Sequence, residues 1–102
     1  MPPNYRTFVG CAWYTGGMRH ARADALDRLE GLSTKLRALP ALREKSRGVF
    51  YLGSKAFVHF HEDPAGLFAD ARVDGDTFER FDVTTAALQR DFLARVSRVL
   101  DG

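Results

Sequence analysis

The sequence predicts an α+β domain, built as a four-stranded antiparallel meander sheet with an N-terminal helix and a C-terminal helix packed on one face. Apolar residues at spacings of three and four, near both ends of the chain, predict the two helices. A change to a period of two between residues 48 and 83 predicts the sheet. Because 102 residues with 45% hydrophobic content are enough for one core, residues 19–102 are expected to form a single domain.

Residues 1–18 differ in composition from the rest of the chain, with four aromatic residues and a single charged residue, Arg6. Alternation from Tyr5 to Trp13 is typical of an edge strand. Pro2-Pro3 and the glycine pair Gly16-Gly17 favour a loose N-terminal arm instead. A start site chosen too far upstream would give the same composition, so the three interpretations remain open.

The first helix is predicted from Arg19 to Leu39, because Pro40 cannot continue it. Its apolar stripe consists of leucines on one face: Leu26, Leu29, Leu32, Leu36 and Leu39. Gly31 interrupts this helix and suggests a close packing point. The basic segment from Ala41 to Arg47 is predicted to be a short turn or one further helical turn.

Four strands are predicted next, at Val49–Leu52, Lys55–His61, Leu67–Val73 and Thr77–Val83. Gly53-Ser54 is typical of a two-residue hairpin turn. With that turn, Val49 faces Val58 and Phe50 faces Phe57.

The second hairpin of the meander is predicted in the register that sets Ala69 against Phe81 and Asp70 against Arg80, which pairs opposite charges. Thr84 or Thr85 then caps a last helix that runs to about Leu100.

The two faces of this predicted sheet differ in an informative way. One face supplies apolar residues to the helices, and the other carries large apolar groups beside polar ones: Phe50, Leu52, Phe57, Phe68 and Phe78. A monomer seldom exposes such a patch. The sequence therefore predicts that the N-terminal arm, a ligand or a second copy of the chain covers this face, and a homodimer is the leading interpretation.

The composition of the chain indicates which cellular compartment and which kinds of partner to expect. The lone Cys11 excludes an internal disulfide and favours a reducing compartment. No apolar run is long enough to cross a bilayer and no secretory signal is evident, so a cytoplasmic protein without a membrane partner is expected. Residues 19–55 carry nine Lys and Arg against four Asp and Glu, whereas residues 56–102 carry five against nine.

Two histidines mark the candidate site. His59 and His61 are two residues apart on one strand, so their side chains leave the same face. With Asp63 they form a candidate metal-ligand set, because two imidazoles and a carboxylate bind zinc, iron or manganese. Asp70 on the next strand and Phe57 complete the ligand-binding candidates, and His20 joins them only if the fold brings it close.

Other chemistry has less support in the sequence. No candidate nucleophile is paired with a base in the sequence, and no phosphate-binding loop or dinucleotide fingerprint is present, so a non-enzymatic role is favoured and catalytic residues remain unknown. Apart from a divalent metal, no cofactor is expected. A basic segment with aromatic neighbours makes nucleic-acid binding a further alternative, through Arg43, Lys45, Arg47 and Lys55.

The run Gly48–Arg72, followed by Phe78–Thr85, resembles a family of small uncharacterised bacterial α+β proteins. The resemblance covers roughly residues 19–100 and implies no activity for any residue. The order helix, meander, helix is also similar to frataxin-like and double-wing folds, although the first helix lacks the acidic ridge of a frataxin. A binding or interaction domain that self-associates through the aromatic sheet face is therefore the expected function, with a metal- or small-ligand-binding protein and a nucleic-acid-binding protein as alternatives.

Overall fold

A computed structural model describes residues 19–101 of the chain. Its strands are β1 (Arg19–His20), β2 (Leu42–Ser46), β3 (Val49–Leu52), β4 (Lys55–Asp63), β5 (Gly66–Ala71) and β6 (Glu79–Asp82). Its helices are α1 (Ala23–Arg28), α2 (Glu30–Arg37) and α3 (Ala86–Asp101). The predictions for residues 1–18, an arm or an edge strand, lie outside the described residues.

All strands belong to one antiparallel sheet in the order β2-β3-β4-β5-β6, and the short β1 also pairs with β4. Strand β4 is the longest and lies at the centre. One of its edges is occupied by β5, while β3 pairs with its first half and β1 with its second. The α+β class and the antiparallel sheet are thus confirmed, although the sheet has more than the four predicted strands.

The additional strand β2 replaces the predicted turn between residues 41 and 47. Its alternation is hard to see in the sequence because the inward positions are Leu42, which is buried, and Glu44, which is an acid. The carboxylate of Glu44 lies on the helix side, where it accepts hydrogen bonds from the side chain of Arg37 and from the backbone N–H of Gly48. A charged residue at an inward position therefore conceals the period of two.

The predicted first helix is shorter and broken. Arg19–His20 is a strand rather than a helical turn, and Leu29 separates α1 from α2. The N–H of Leu29 is shared between the carbonyl oxygens of Ala25 and Leu26, at 3.1 and 3.2 Å, which tightens the chain at that point. The leucine stripe is nevertheless confirmed, because Leu29 and Leu36 are fully buried. Gly31 is not the close packing point suggested by the sequence, since beyond its chain neighbours and the backbone of its own helix no atom lies within 4 Å of the position that a Cβ would take.

A β-bulge changes the register of the first predicted hairpin. Tyr51 faces Ala56 as expected, but Phe50 then faces Val58 and Val49 faces His59. Phe57 is the extra residue, and it is 3% exposed within the core. The predicted pairs Phe50–Phe57 and Val49–Val58 are therefore wrong by one residue, since a bulge sets two residues of one strand against one of the other.

The second hairpin keeps the predicted register. Ala69 faces Phe81, and Asp70 faces Arg80. The N–H of Val83 donates to the carbonyl of Leu67 at 2.9 Å, which continues the ladder past β6. Complementary apolar and charged pairs were therefore sufficient to align these two strands.

The hydrophobic core lies between one sheet face and the helices. Phe60, Ala69 and Phe81 are neighbours on that face, and the ring centre of Phe81 lies 5.2 Å from that of Phe92 on α3. The sheet and the loops that follow its strands contribute these buried residues to the core: Leu42, Phe50, Phe57, Val58, Phe60, Leu67, Ala69, Ala71, Val73 and Val83. We call the opposite side the outer face; alternation along the strands places Tyr51, His59, His61, Asp70 and Arg80 there.

The last helix follows the prediction closely. Thr85 caps α3, since its hydroxyl oxygen accepts the N–H of Leu88 at 3.2 Å. Phe92 and Val96 are the buried residues of its apolar stripe. Among the helices of residues 19–101, none is both long and apolar enough to span a bilayer.

Candidate metal centre

The centre of the outer face brings together side chains from three adjacent strands. On β4, His59 and His61 point to this face, as their spacing predicts. Asp70 on β5 lies directly opposite His59, and Arg80 on β6 lies directly opposite Asp70. The sheet register therefore aligns two imidazoles, a carboxylate and a guanidinium in one region.

His61 is the least satisfied polar side chain of this region. Its Nε2 lies 3.2 Å from Oδ2 of Asp70, and the side chain is only 16% exposed. By strict geometry this contact is too poorly aligned for a hydrogen bond, although the imidazole still helps to lower the pKa of Asp70. Nδ1 has no hydrogen-bond partner among the described residues, and both ring nitrogens are shielded from solvent. Because nearly all buried polar groups are paired in native proteins, a ring with one unpaired nitrogen and one poorly aligned contact calls for an explanation.

Asp70 is held firmly as an anion. Nε and Nη2 of Arg80 donate to its two oxygens at 2.8 and 2.9 Å, which is a bidentate pair. Burial alone would raise the pKa of Asp70, but the guanidinium of Arg80 and the imidazole of His61 oppose this and lower it to about 2. Asp70 is therefore ionised at every physiological pH, with its orientation fixed by Arg80.

His59 lies between two aromatic neighbours. Its ring centre is 4.6 Å from that of His61 on one side and 4.6 Å from that of Phe78 on the other, with the rings crossed edge to face. Burial, followed by the charge of His61, lowers the pKa of His59 to about 4. Its imidazole is therefore neutral near pH 7 and keeps a lone pair available to a ligand.

His20 reaches the same region from β1. It lies directly opposite His61 in the ladder, and the two ring centres are 6.2 Å apart. Its side chain is exposed, and partial burial with the charge of His61 lowers its pKa. From the sequence, His20 was a candidate only if the fold brought it close to the other histidines. The structure places His20 next to His61.

The two acidic residues that follow His61 in the sequence, Glu62 and the predicted ligand Asp63, have other contacts. Oδ1 of Asp63 accepts the N–H groups of Ala65 and Gly66 at 2.7 and 3.2 Å, so this carboxylate stabilises the turn. Glu62 accepts the N–H of Arg22 at 2.6 Å, at the residue that precedes α1. Asp70, and not Asp63, is the carboxylate beside the two histidines.

The apolar part of the predicted ligand face is smaller than expected. Phe50 and Phe57 are 0% and 3% exposed within the core, because the bulge turns both toward the helices. Phe78 remains beside His59, and Cζ of Arg72 lies 4.1 Å from the centre of the Phe78 ring. Two of the five large apolar residues predicted for this face therefore lie in the core instead. Self-association through the face stays a prediction.

The basic segment is partly neutralised by its own surroundings. Arg47 pairs with Asp27 and Glu30 at 2.9 and 3.2 Å. Nζ of Lys45 lies 4.6 Å from the ring centre of Tyr51.

Arg43 and Lys55 are exposed, and within residues 19–101 neither forms an ion pair. Two free cations are a small footprint for a phosphate backbone, and nucleic-acid binding stays a prediction.

Three of these side chains form a donor set. His59, His61 and Asp70 each offer one ligand atom, and the three atoms lie within 4.8 Å of one another. The H-x-H spacing predicted the two histidines, and the predicted strand register brought Asp70 into the set. The sequence predicted a salt bridge between Asp70 and Arg80. It did not indicate that this pair orients a carboxylate of the candidate site.

Comparison with known proteins gives no match, either among family models or among curated proteins or solved structures. The resemblance to small bacterial proteins therefore stays a prediction. Function has to be inferred from the site itself.

Proposed function

We propose that the protein binds a divalent transition-metal ion through His59, His61 and Asp70. The observation that supports this most directly is His61: both of its ring nitrogens are buried, Nδ1 has no hydrogen-bond partner among the described residues, and Nε2 makes only a poorly aligned 3.2 Å contact with Asp70. A bound ion would give one of these nitrogens a partner. It would also explain why a carboxylate and a second histidine are placed within reach of it.

The distances are compatible with such an ion after a small adjustment. A metal about 2.1 Å from each donor keeps donor atoms roughly 3 to 3.5 Å apart. The three atoms here lie within 4.8 Å of one another, so side-chain rotations that close the set by about 1 Å are sufficient. The backbone already sets His59 directly opposite Asp70 and places His61 two rungs further along the ladder on the same face.

The charges of the site also suit a cation. Asp70 is ionised and His59 is neutral near pH 7, which are the forms that bind metals. Arg80 opposes a cation by its charge but orients the carboxylate, as partners of metal ligands commonly do. Two histidines and one carboxylate suit Zn²⁺, Fe²⁺ or Mn²⁺ and leave further coordination positions open.

The test is Zn²⁺ binding to chelator-treated protein without a histidine tag, measured by competition with a chromogenic chelator and by native mass spectrometry. We expect one ion per chain, no ion on the His59→Ala/His61→Ala variant, and binding weakened by roughly 10- to 100-fold in Asp70→Asn. Circular dichroism of each variant separates loss of the site from loss of the fold.

Asp63→Asn is the matched control, since it removes the neighbouring carboxylate charge but keeps an oxygen for the turn. This variant should bind Zn²⁺ as the wild type does. A wild type that stays free of metal at excess Zn²⁺, or binding that survives in the double histidine variant, would overturn the proposal.

A further inference from the structure

The backbone around His20 is fixed to the strand that carries the candidate ligands. The N–H of Ala21 donates to the carbonyl of Phe60 at 3.0 Å, and the N–H of Arg22 donates to Glu62 at 2.6 Å. His20 directly precedes these two anchored residues and takes the ladder position opposite His61. Its Cα is therefore held next to the site, while its exposed side chain has room to rotate.

Ring separations show how far His20 is from a shared ion. Two imidazoles bound to one metal have ring centres roughly 4.5 to 5.3 Å apart for angles between 90° and tetrahedral, given metal–nitrogen distances of about 2.1 Å. His59 and His61, at 4.6 Å, already fall in this range. His20 and His61, at 6.2 Å, lie about 1 Å outside it.

We infer that His20 is the fourth protein ligand of the ion, and that metal binding thereby fastens β1 to β4. This inference rests on the proposed metal site. Three histidines and one carboxylate complete a four-coordinate shell, which is the number that zinc prefers in closed sites. A ligand set from β1, β4 and β5 also joins three strands, of which β1 has only two residues.

The consequence is a metal-dependent stability of the start of the described chain. Among residues 19–101, strand β1 pairs with β4 alone and over two residues, so we expect its local opening to cost little free energy. A coordinate bond from His20 would suppress that opening. The amide of Ala21, whose hydrogen bond to Phe60 breaks when β1 opens, reports on it directly.

The experiment compares wild type, His20→Ala and the control Arg22→Ala, an exposed neighbour whose backbone N–H is retained. In His20→Ala we expect Zn²⁺ affinity to fall by at least roughly 10-fold, with one ion still bound per chain. Arg22→Ala should keep the wild-type affinity. Hydrogen exchange at Ala21 should slow on Zn²⁺ addition in wild type and in Arg22→Ala, but not in His20→Ala.

A second readout identifies the coordination number. Co²⁺ in place of Zn²⁺ absorbs strongly in the visible range when four-coordinate and tetrahedral, and we expect this absorption in wild type and a changed spectrum in His20→Ala, where water replaces an imidazole as the fourth ligand. Unchanged Zn²⁺ affinity and an unchanged Co²⁺ spectrum in His20→Ala would overturn the role of His20 and leave the three-residue site standing. If the wild type binds no metal, the proposed function fails, and this inference fails with it.

Discussion

At the scale of single residues, His59 links the folded state to pH. In the metal-free protein burial, and then the charge of His61, lower its pKa to about 4, whereas the unfolded chain keeps the ordinary value of 6.5. The unfolded state therefore takes up the proton first as the pH falls. Stability from His59 is complete above pH 6.5 and is lost as the pH falls from 6.5 to 4, by about 2 to 3 kcal/mol.

Urea unfolding with a chelator present, at pH 7.5 and near pH 4.5, measures this loss. His59→Gln cannot take up the proton, so we expect its stability to fall less between the two pH values, by about 2 kcal/mol. His20 has a pKa shifted in the same direction and remains in both proteins, so only the difference between them is informative. Equal losses in both proteins would show that His59 is not held neutral by the fold.

The residues of the site could be predicted to different degrees from the sequence. The spacing of His59 and His61 was sufficient to put both on one face, and opposite charges were sufficient to align Asp70 with Arg80. Asp63 looked equivalent to Asp70 because sequence proximity does not show that its carboxylate stabilises a turn. His20 depended on a two-residue strand, whose pairing with β4 is a tertiary contact without any local periodic signal.

At the scale of elements, two glycines respond in opposite ways to the same substitution. Gly48 joins β2 to β3 with φ +82°, and a Cβ there would lie 2.6 Å from Cδ2 of Leu26. At Gly31, on α2, an added Cβ would meet no atom within 4 Å beyond its chain neighbours and the backbone of its own helix. We expect Gly48→Ala to lower the free energy of unfolding by about 1 to 3 kcal/mol, through strain and overpacking.

Gly31→Ala should instead raise the free energy of unfolding by about 0.5 to 1 kcal/mol, because alanine favours the helix. Chemical denaturation of the two variants beside the wild type measures both effects. If Gly48→Ala left the free energy of unfolding unchanged, the connection between β2 and β3 would not depend on the left-handed backbone conformation of this glycine.

The same scale shows why the prediction of the fold was incomplete. Strongly apolar stripes, on the leucine helices and on α3, were identified because they are long and repeated. The strand β2 was missed, since its inward Glu44 depends on Arg37 of α2 for a partner. The bulge at Phe57 was missed because the unbulged register also pairs apolar residues, so the choice between the two is made by packing against the helices.

At the scale of the whole molecule, the candidate centre lies on β4 and β5 in the interior of the sheet, so occupancy should stabilise the entire fold. A ligand that binds only the folded state adds about 2.7 kcal/mol at a free concentration 100 times its Kd. We therefore expect the thermal midpoint of the wild type to rise steadily with Zn²⁺ concentration. Calorimetric scans of the His59→Ala/His61→Ala variant should show no such rise; a rise of equal size would indicate binding elsewhere.

Charge is arranged differently over the whole molecule than along the chain. Ion pairs with Asp27, Glu30 and Glu44 neutralise Arg37 and Arg47 locally, but all five residues belong to residues 19–55, so the net basic excess of that segment is unchanged. Acids of the sheet such as Glu44 and Glu62 contact the helix side. The basic excess therefore falls on other cations of the segment, such as the exposed Arg43 and Lys55.

The bulge in β4 has a consequence for insertions and deletions. Loss of one residue at Phe57 would let the pair Phe50–Val58 follow Tyr51–Ala56 directly, as in a regular hairpin, and His59 would keep Val49 and Asp70 as neighbours. Loss of one residue between Val58 and His61 would instead turn one histidine toward the helices. Length variation in this hairpin is therefore compatible with the paired histidines only on the turn side of Val58.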